Sequence, residues 1–542
     1  MLSGACAPDA APPAEAVRGI EDAGLREHIA VLASDEFEGR APVSRGEELT
    51  IAYISEAFEA AGLEPGNAGA WLQEVPLVSI TADPGMRLAI AGEGRDTPHE
   101  YGTEMMAWTK RVIDRSGLQS SELVFVGYGV VAPEYGWDDY AGIDVTGKTV
   151  VMLVNDPGYA TGDPARFNGR AMTYYGRWTY KFEEAGRQGA AGAFIIHETE
   201  AAGYPWEVVT SSWSGPQFTL VAEDANLSRP AVEGWLTHDA AAVLFERAGL
   251  DLAALRSDAA REDFRAVSLG LTASLEIRNT IERSTSHNVV GRLAGSHRAD
   301  EAVVYMAHWD HLGKDETLDG DRIYNGALDN ATGVAGLIEI AAAFGGLERP
   351  PARTILFLAV TAEEQGLLGS DHYGERPVHP LDRTIAAINM DGLNTAGPMN
   401  DITVVGLRNS DLDVYLEAVV SAADRVIRAD PEPEKGFFYR SDHFNFAKRG
   451  VPALYTDAGI DHVTEGETYG RRMREEYTAE RYHKPTDEYD PSWDLNGAVD
   501  DLRLLFEMGY RLAQGAEWPN WREGNEFRAA RERMMEGAGG GD

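Results

Sequence analysis

The sequence predicts an α/β protein: a mixed, mostly parallel sheet sandwiched by helices and interrupted by a large β-rich region. Three observations carry this. From about residue 285 onward, short apolar runs alternate with helical periodicity, the order expected of βαβ units. Between about 110 and 280 the texture differs, with strand-like runs set among glycines. The chain, at 542 residues, is also too long for one ordinary core, which implies two domains or one with a large insertion.

Taken in order, "GLREHIAVLAS" and "GEELTIAYISEAFEAAGL" are amphipathic helices, the second closed by Gly62. "SELVFVGYGVV", "KTVVMLVND" and "AGAFIIHE" read as strands, with the helix "KFEEAGRQGA" before the last. After "SHNVVGRLAG" come the strand "AVVYMAH", the helix "GVAGLIEIAAAFGGL" and the strands "TILFLAVTA" and "TIAAINMDG". "LDVYLEAVVSAADRVI" is a further helix, "VPALYTD" a further strand and "GAVDDLRLLFEMGYRLAQ" a closing helix. No internal repeat stands out.

Composition excludes some roles. Asp plus Glu number 88 against 48 Lys plus Arg, a formal charge of -40 that repels phosphate backbones and argues against nucleic-acid binding. Most of that charge reads as a solvated acidic shell. No stretch approaches the ~20 apolar residues of a spanning helix. The single cysteine, Cys6, permits no intrachain disulfide and no cysteine-based metal site. "LSGAC" resembles the end of a bacterial lipoprotein signal, with the Ala/Pro-rich residues that follow as a tether; this reading predicts an exported, periplasmic or outer-membrane lipoprotein anchored through Cys6. The charged and apolar parts of such a signal do not precede it, and the stretch reads equally as a disordered terminus with an isolated cysteine.

Ligands of open α/β sheets collect beyond the carboxyl ends of the strands. There the sequence places a set: His308 and Asp310 in "AHWDH", Asp329 in "NGALDNATG", Glu363 and Glu364 in "TAEEQG", and Asp391 in "NMDG". His483, in "RYHKPTDEYD", follows far downstream. A lone Asp at a strand end is more often a helix cap. Four successive strand-end loops bearing His, Asp or Glu are not explained that way, because buried carboxylates need partners or a metal. Imidazole plus carboxylate without thiolate suits Zn²⁺ or a similar divalent ion. The donors exceed the needs of one open site, so two ions sharing a bridging carboxylate are expected. Cations also account for the adjacent Glu363 and Glu364: one carboxylate binds metal, the other faces water as a general base.

These motifs resemble the co-catalytic di-zinc aminopeptidase family, which includes glutamate carboxypeptidases, over about 285–510. The resemblance implies a zinc exopeptidase fold and a metallo-aminopeptidase hydrolysing the N-terminal bond of short peptides. It implies His308, Asp329, Glu364, Asp391 and His483 as ligands of two Zn²⁺ ions, with Asp329 bridging. It also implies Glu363 as general base, Asp310 as the residue orienting His308, and Tyr482 as the donor that steadies the oxyanion. "YRSDHFNFAKRGVPAL" resembles the segment before the last metal loop, and "LASDEFEGRAP" an N-terminal segment of the family. Residues from about 110 to 280 resemble a protease-associated domain, so the insert is expected to be a β-rich α+β domain. The expected layout is a tether or signal remnant at 1–16, the first part of the peptidase domain at 17–109, the insert at 110–280, the catalytic domain at 281–515 and a tail at 516–542.

A carboxypeptidase would use the same metals with a basic pocket, to which Arg440 is a candidate contributor. A glutaminyl cyclase of similar fold would need a single zinc, and a receptor-like scaffold would be expected to have lost ligands; the full set opposes both. His443 reads as a packing or supporting residue, "KDETLDGDR" as a solvated turn and Trp213 as a core or lid residue. "SSWSG" lacks the first glycine of a nucleophile elbow. The role of 459–481 is not assigned by the sequence.

Overall fold

The computed structural model describes residues 11–92 and 94–539. They form two compact units. The first comprises the described residues up to Val75, Thr285–Pro431 and those from Arg440 onward; the second comprises Pro76–Ser284 with Glu432–Tyr439. The dividing line therefore falls after Val75, not after residue 109. The reason is pairing: Arg87–Gly92 hydrogen-bonds to residues 272–274, and Met105–Trp108 to Val232–Thr237, all in the second unit. The described residues from 516 onward likewise depart from the expected tail. Trp521 is fully buried and donates its indole N–H to the Gly450 carbonyl (3.0 Å), and the buried Arg531 donates to the Thr384 carbonyl (3.2 Å). At the other end, Ala14–Arg18 is helical, with Ala16 and Val17 against the core of the first unit, so the described part of 1–16 is no loose tether. Cys6 lies outside the described residues.

In the first unit four parallel strands form the centre of the sheet, in the order Arg353–Val360, Arg298–His308, Thr384–Asn389 and Ala453–Asp457. Residues 289–293 flank it antiparallel on one side, and Asp401–Val405 antiparallel on the other, followed by Val426–Ala429. Every residue of Arg353–Val360 and of Thr384–Asn389 is buried, as expected for strands covered on both faces. The covering helices include Asp22–Leu32, Arg45–Ala60, Thr332–Gly345, Leu412–Ala422 and Asn496–Gln514. Ser44 caps Arg45–Ala60 by accepting from the Glu47 N–H, and Ile54 and Phe58 on one stripe are fully buried. Contrary to the sequence expectation, Ala327–Gly345 is apolar and long enough to cross a membrane; it is spent instead against the sheet, with Val334, Leu337, Ile340 and Phe344 in the core.

The second unit has its own core, built around Trp108, Val124, Val150, Phe182, Ile195, Trp213 and Trp235. Its parallel strands run Arg115–Phe125, Thr149–Leu153, Gly192–His197 and Val232–Thr237, extended antiparallel by Met105–Trp108 and, at the opposite edge, by residues 267–278. Trp213 is thus a core residue. It is a mixed α+β unit with helices Trp178–Arg187 and His238–Arg247.

Candidate metal centre

The first unit brings the predicted donors together at the carboxyl ends of its parallel strands. His308 is the last residue of Arg298–His308 and is buried. Its Nε2 lies 3.2 Å from Asp329 Oδ1 and 3.2 Å from Asp391 Oδ1. His483 Nε2 lies 3.3 Å from Asp329 Oδ2 and 3.1 Å from Glu364 Oε2. One oxygen of Asp329 therefore faces each histidine, the disposition of a bridging carboxylate. Two donors bound 2.0–2.1 Å from one tetrahedral zinc are themselves about 3.3 Å apart. The observed separations match that edge, so the donors fit zinc. Glu363 contributes a carboxylate oxygen to a cluster with His308 and Glu364.

Charge points the same way. Burial, then Asp391, Glu364 and Asp442, push the Glu363 carboxyl well above the usual carboxylate range. Burial likewise lifts Asp310 to about 8 and Asp442 to about 7. Glu364 behaves oppositely: against the effect of its burial, the His483 and His311 rings hold it down at about 2. Cations among these buried carboxyls would favour their ionised forms.

Hydrogen bonds fix each loop. The Asp487 carboxylate accepts from the N–H groups of Leu328 and Asp329 (both 3.1 Å), and Asn330 Oδ1 accepts from the N–H groups of Gly333 and Gly392 (both 3.0 Å). Asn330 thereby ties the Asp329 loop to the Asp391 loop; the Asp329–Asn330 peptide is cis. Ser441, from the "SDH" segment, donates to Asp391 Oδ2 (2.5 Å) and accepts from Asn389 Nδ2 (2.6 Å). Asp310 does more than face His308. Its carboxylate accepts from the N–H groups of Glu363 (3.0 Å) and Glu364 (3.4 Å), and so aims the second metal loop. The His308 Nδ1 is nearer to the Asp310 backbone oxygen (3.1 Å) than to its carboxylate (3.9 Å).

Tyr482 is half exposed, and its ring stacks on His483 at 3.9 Å between centroids. The unassigned stretch 459–481 contains the helix Glu467–Glu480, and the Tyr477 carbonyl at its end accepts from the N–H groups of Arg481 and Tyr482 (both 2.9 Å). That helix delivers His483, whose backbone is left-handed (φ 56°). His443 is buried with its ring against Tyr455, a packing position as expected. Arg440 stands one residue before Ser441. The "KDETLDGDR" loop is a turn in which Asp315 accepts from the Thr317 N–H and hydroxyl.

Sequence reasoning missed His311. It is fully buried, and its Nδ1 lies 2.5 Å from Glu364 Oε1, in one cluster with Asp329 and Glu364. The signal was present as the second histidine of "HWDH". Asp487, within "PTDEYD", was missed because it acts through backbone N–H groups that no sequence spacing reveals.

Residues 288–506 match the family model described as Peptidase family M28. Among curated proteins, the chain is similar to the aminopeptidase NAALADL1 of Mus musculus, 34% identical over 127 residues, covering 22% of this chain and 16% of that protein. It is also similar to the aminopeptidase YwaD of Bacillus subtilis, 25% identical over 229 residues, 42% of this chain and 45% of the relative. The chain thus spans less than half the length of these curated relatives. A solved aminopeptidase from Aneurinibacillus sp. strain AM-1 shares the fold with TM-score 0.50 at 19% identity, covering 93% of this chain and 97% of that one. The motifs, the convergent donors and the match to the Peptidase family M28 model thus fall on one segment, residues 288–506.

Proposed function

We propose that this protein is a zinc aminopeptidase that uses two metal ions to release the N-terminal residue of short peptides. The observation that supports it most is the split of Asp329, one oxygen toward His308 and the other toward His483. In this reading His308 and Asp391 hold one ion, Glu364 and His483 the other, and Asp329 both. A zinc pair supplies Lewis-acid activation of water and of the scissile carbonyl.

Glu363 takes the proton of the attacking water and later delivers it to the leaving amine. Its raised affinity for a proton beside the ionised Glu364 favours that division of labour. Tyr482, on the exposed side of His483, donates its hydroxyl to the developing oxyanion, an interaction worth about 3 kcal/mol. Asp310 keeps both glutamates aimed through their backbone N–H groups. The carboxylates and the overall charge of -40 attract an ammonium group, which favours a free amino terminus over a carboxylate. The similarity to aminopeptidases supports the same direction. We also propose that the second unit is a protease-associated domain, from its strand order and glycine-rich turns.

The test is a matched pair of short peptides, one with a free and one with an acetylated N-terminus, given to enzyme stripped by a chelator and reloaded with Zn²⁺. Cleavage of the free peptide alone, only after reloading, is expected. Equal cleavage of both, or release of residues from the carboxyl end, would overturn the aminopeptidase assignment.

A further inference from the structure

Arg40 lies in none of the motifs that supply the metal centre, yet it is among the largest fully buried side chains, 1% exposed. It ends the short turn Asp35–Arg40. Its Nε donates to the Trp309 carbonyl (2.9 Å), Nη1 to those of Leu32 (2.7 Å) and Asn325 (2.6 Å), and Nη2 to that of Gly326 (2.8 Å). Trp309 sits between His308 and Asp310, and Gly326 stands three residues before Asp329. One planar guanidinium thus spans the loop of the first histidine and the loop of the bridging carboxylate.

The rest of the turn is committed to the same contact. The Arg40 carbonyl accepts from the His311 N–H (3.3 Å). Asn325 Nδ2 donates back to the Ala33 carbonyl (2.8 Å) and to Asp35 Oδ1 (2.9 Å). Glu38, Gly39 and Arg40 all have left-handed backbones, with φ of 51°, 68° and 51°. A Cβ on Gly39 would lie 2.4 Å from the Gly313 carbonyl oxygen and 2.7 Å from that of Tyr324, so only glycine lets the turn sit this close. Four carbonyls arranged around a rigid fork suit arginine and not lysine, whose ammonium has three donors and no plane. Burying a guanidinium among carbonyls is costly unless its charge is used, and the charge is felt by Asp487, Asp310, Asp329 and Glu364.

We propose that Arg40 is a positioning residue of the metal centre: it fixes the separation of the His308 and Asp329 loops and thereby sets zinc affinity. This rests on the two-ion reading given above. The test uses the full chain with Arg40→Lys, with Asn325→Ala, which loosens the same turn without touching the buried charge, and with Arg353→Lys as control. Arg353 is equally buried but is bonded to Glu301 and to the Leu512, Ala516 and Glu517 carbonyls, at the opposite end of the strand that leads to Glu363. Zinc dissociation constants are measured by chelator competition, with the visible spectrum of the Co²⁺-loaded protein and the melting temperature of the metal-free protein alongside.

Loss of outer partners typically weakens metal binding about 10–100-fold. That loss, with an altered Co²⁺ spectrum, is expected for Arg40→Lys and Asn325→Ala, whereas Arg353→Lys should lower the melting temperature and leave zinc affinity unchanged. If Arg40→Lys does not fold, Asn325→Ala decides. Wild-type protein holding two zinc ions while Arg40→Lys and Asn325→Ala bind them as tightly would overturn the role of Arg40 alone. A wild-type protein that binds no zinc would overturn both readings.

Discussion

Replacing Glu363 by Gln separates the base from the ligands. The change is nearly isosteric, and the backbone of Glu363 is held independently, its N–H on Asp310 Oδ1 at 3.0 Å. The amide cannot take a proton, so the contribution of a general base, about 10²–10⁴-fold, should disappear from kcat. That corresponds to about 3–5 kcal/mol of barrier. The fold should not suffer, because Glu363 is the carboxyl that its neighbours disfavour in ionised form. Burial and the carboxylates of Asp391, Glu364 and Asp442 already favour its neutral form, which the amide resembles, so the metal-free protein should melt no lower than wild type. Glu364→Gln makes the contrast. It disturbs contacts to His483 at 3.1 Å and to His311 at 2.5 Å, and should lose metal together with activity. The assay is steady-state cleavage of an aminoacyl substrate beside elemental analysis of bound zinc. Glu363→Gln with kcat within tenfold of wild type, or with the same metal loss as Glu364→Gln, would refute the assignment.

Three further outcomes are expected. Asp329→Asn, which keeps one oxygen where two are used, should bind at most one zinc per chain by elemental analysis. In the second unit, Lys181 is fully buried, donates to the Tyr128 carbonyl at 2.6 Å and is pulled down to about 7 by burial, while burial lifts Asp139 to about 7 and Asp156 to about 6. The folded state therefore binds more protons than the unfolded at these carboxyls between about pH 4 and 7, where stability falls as pH rises; at Lys181 the unfolded state binds more between about pH 7 and 10.5, where stability rises with pH. Lys181→Met removes the alkaline arm, so its melting temperature relative to wild type should decline from pH 7 to 10, and a difference that stays flat over that range would contradict the argument. Finally, if Cys6 is lipidated in the native host, Cys6→Ser should shift the protein from the membrane to the soluble fraction on fractionation.

Most donors of the centre were legible in the sequence because His308, Glu363, Glu364 and Asp391 stand at or just after strand ends, and strand ends are visible. "VVYMA" and "ILFLAV" are apolar runs with one termination each, and the first ionisable residues after them, His308, Glu363 and Glu364, have no other reason to stand in a cleft. The central parallel strands, buried on both faces, were legible for the same reason. The boundary between units was not. Residues 87–108 carry no local pattern that separates them from the first part of the peptidase domain, and their assignment depends on partners such as residues 272–274, nearly two hundred positions away.

The supporting residues were illegible for a different reason. Arg40, Asp487 and Asn330 act largely on backbone groups, and the backbone carries no sequence signal. Arg40 bonds only to carbonyl oxygens, so no complementary residue in the chain announces it. Its turn does leave a trace, since "EGR" places a glycine where two backbones meet at contact distance. The donors are set by chemistry that one residue type can satisfy, whereas the separations of 3.1–3.3 Å among them are set by loops hung on such backbone bonds. A chain that kept all five donors and lost the Arg40 turn would retain every motif that supplies a donor. On the proposed role of Arg40, it would lose the spacing that sets one oxygen of Asp329 toward His308 and the other toward His483.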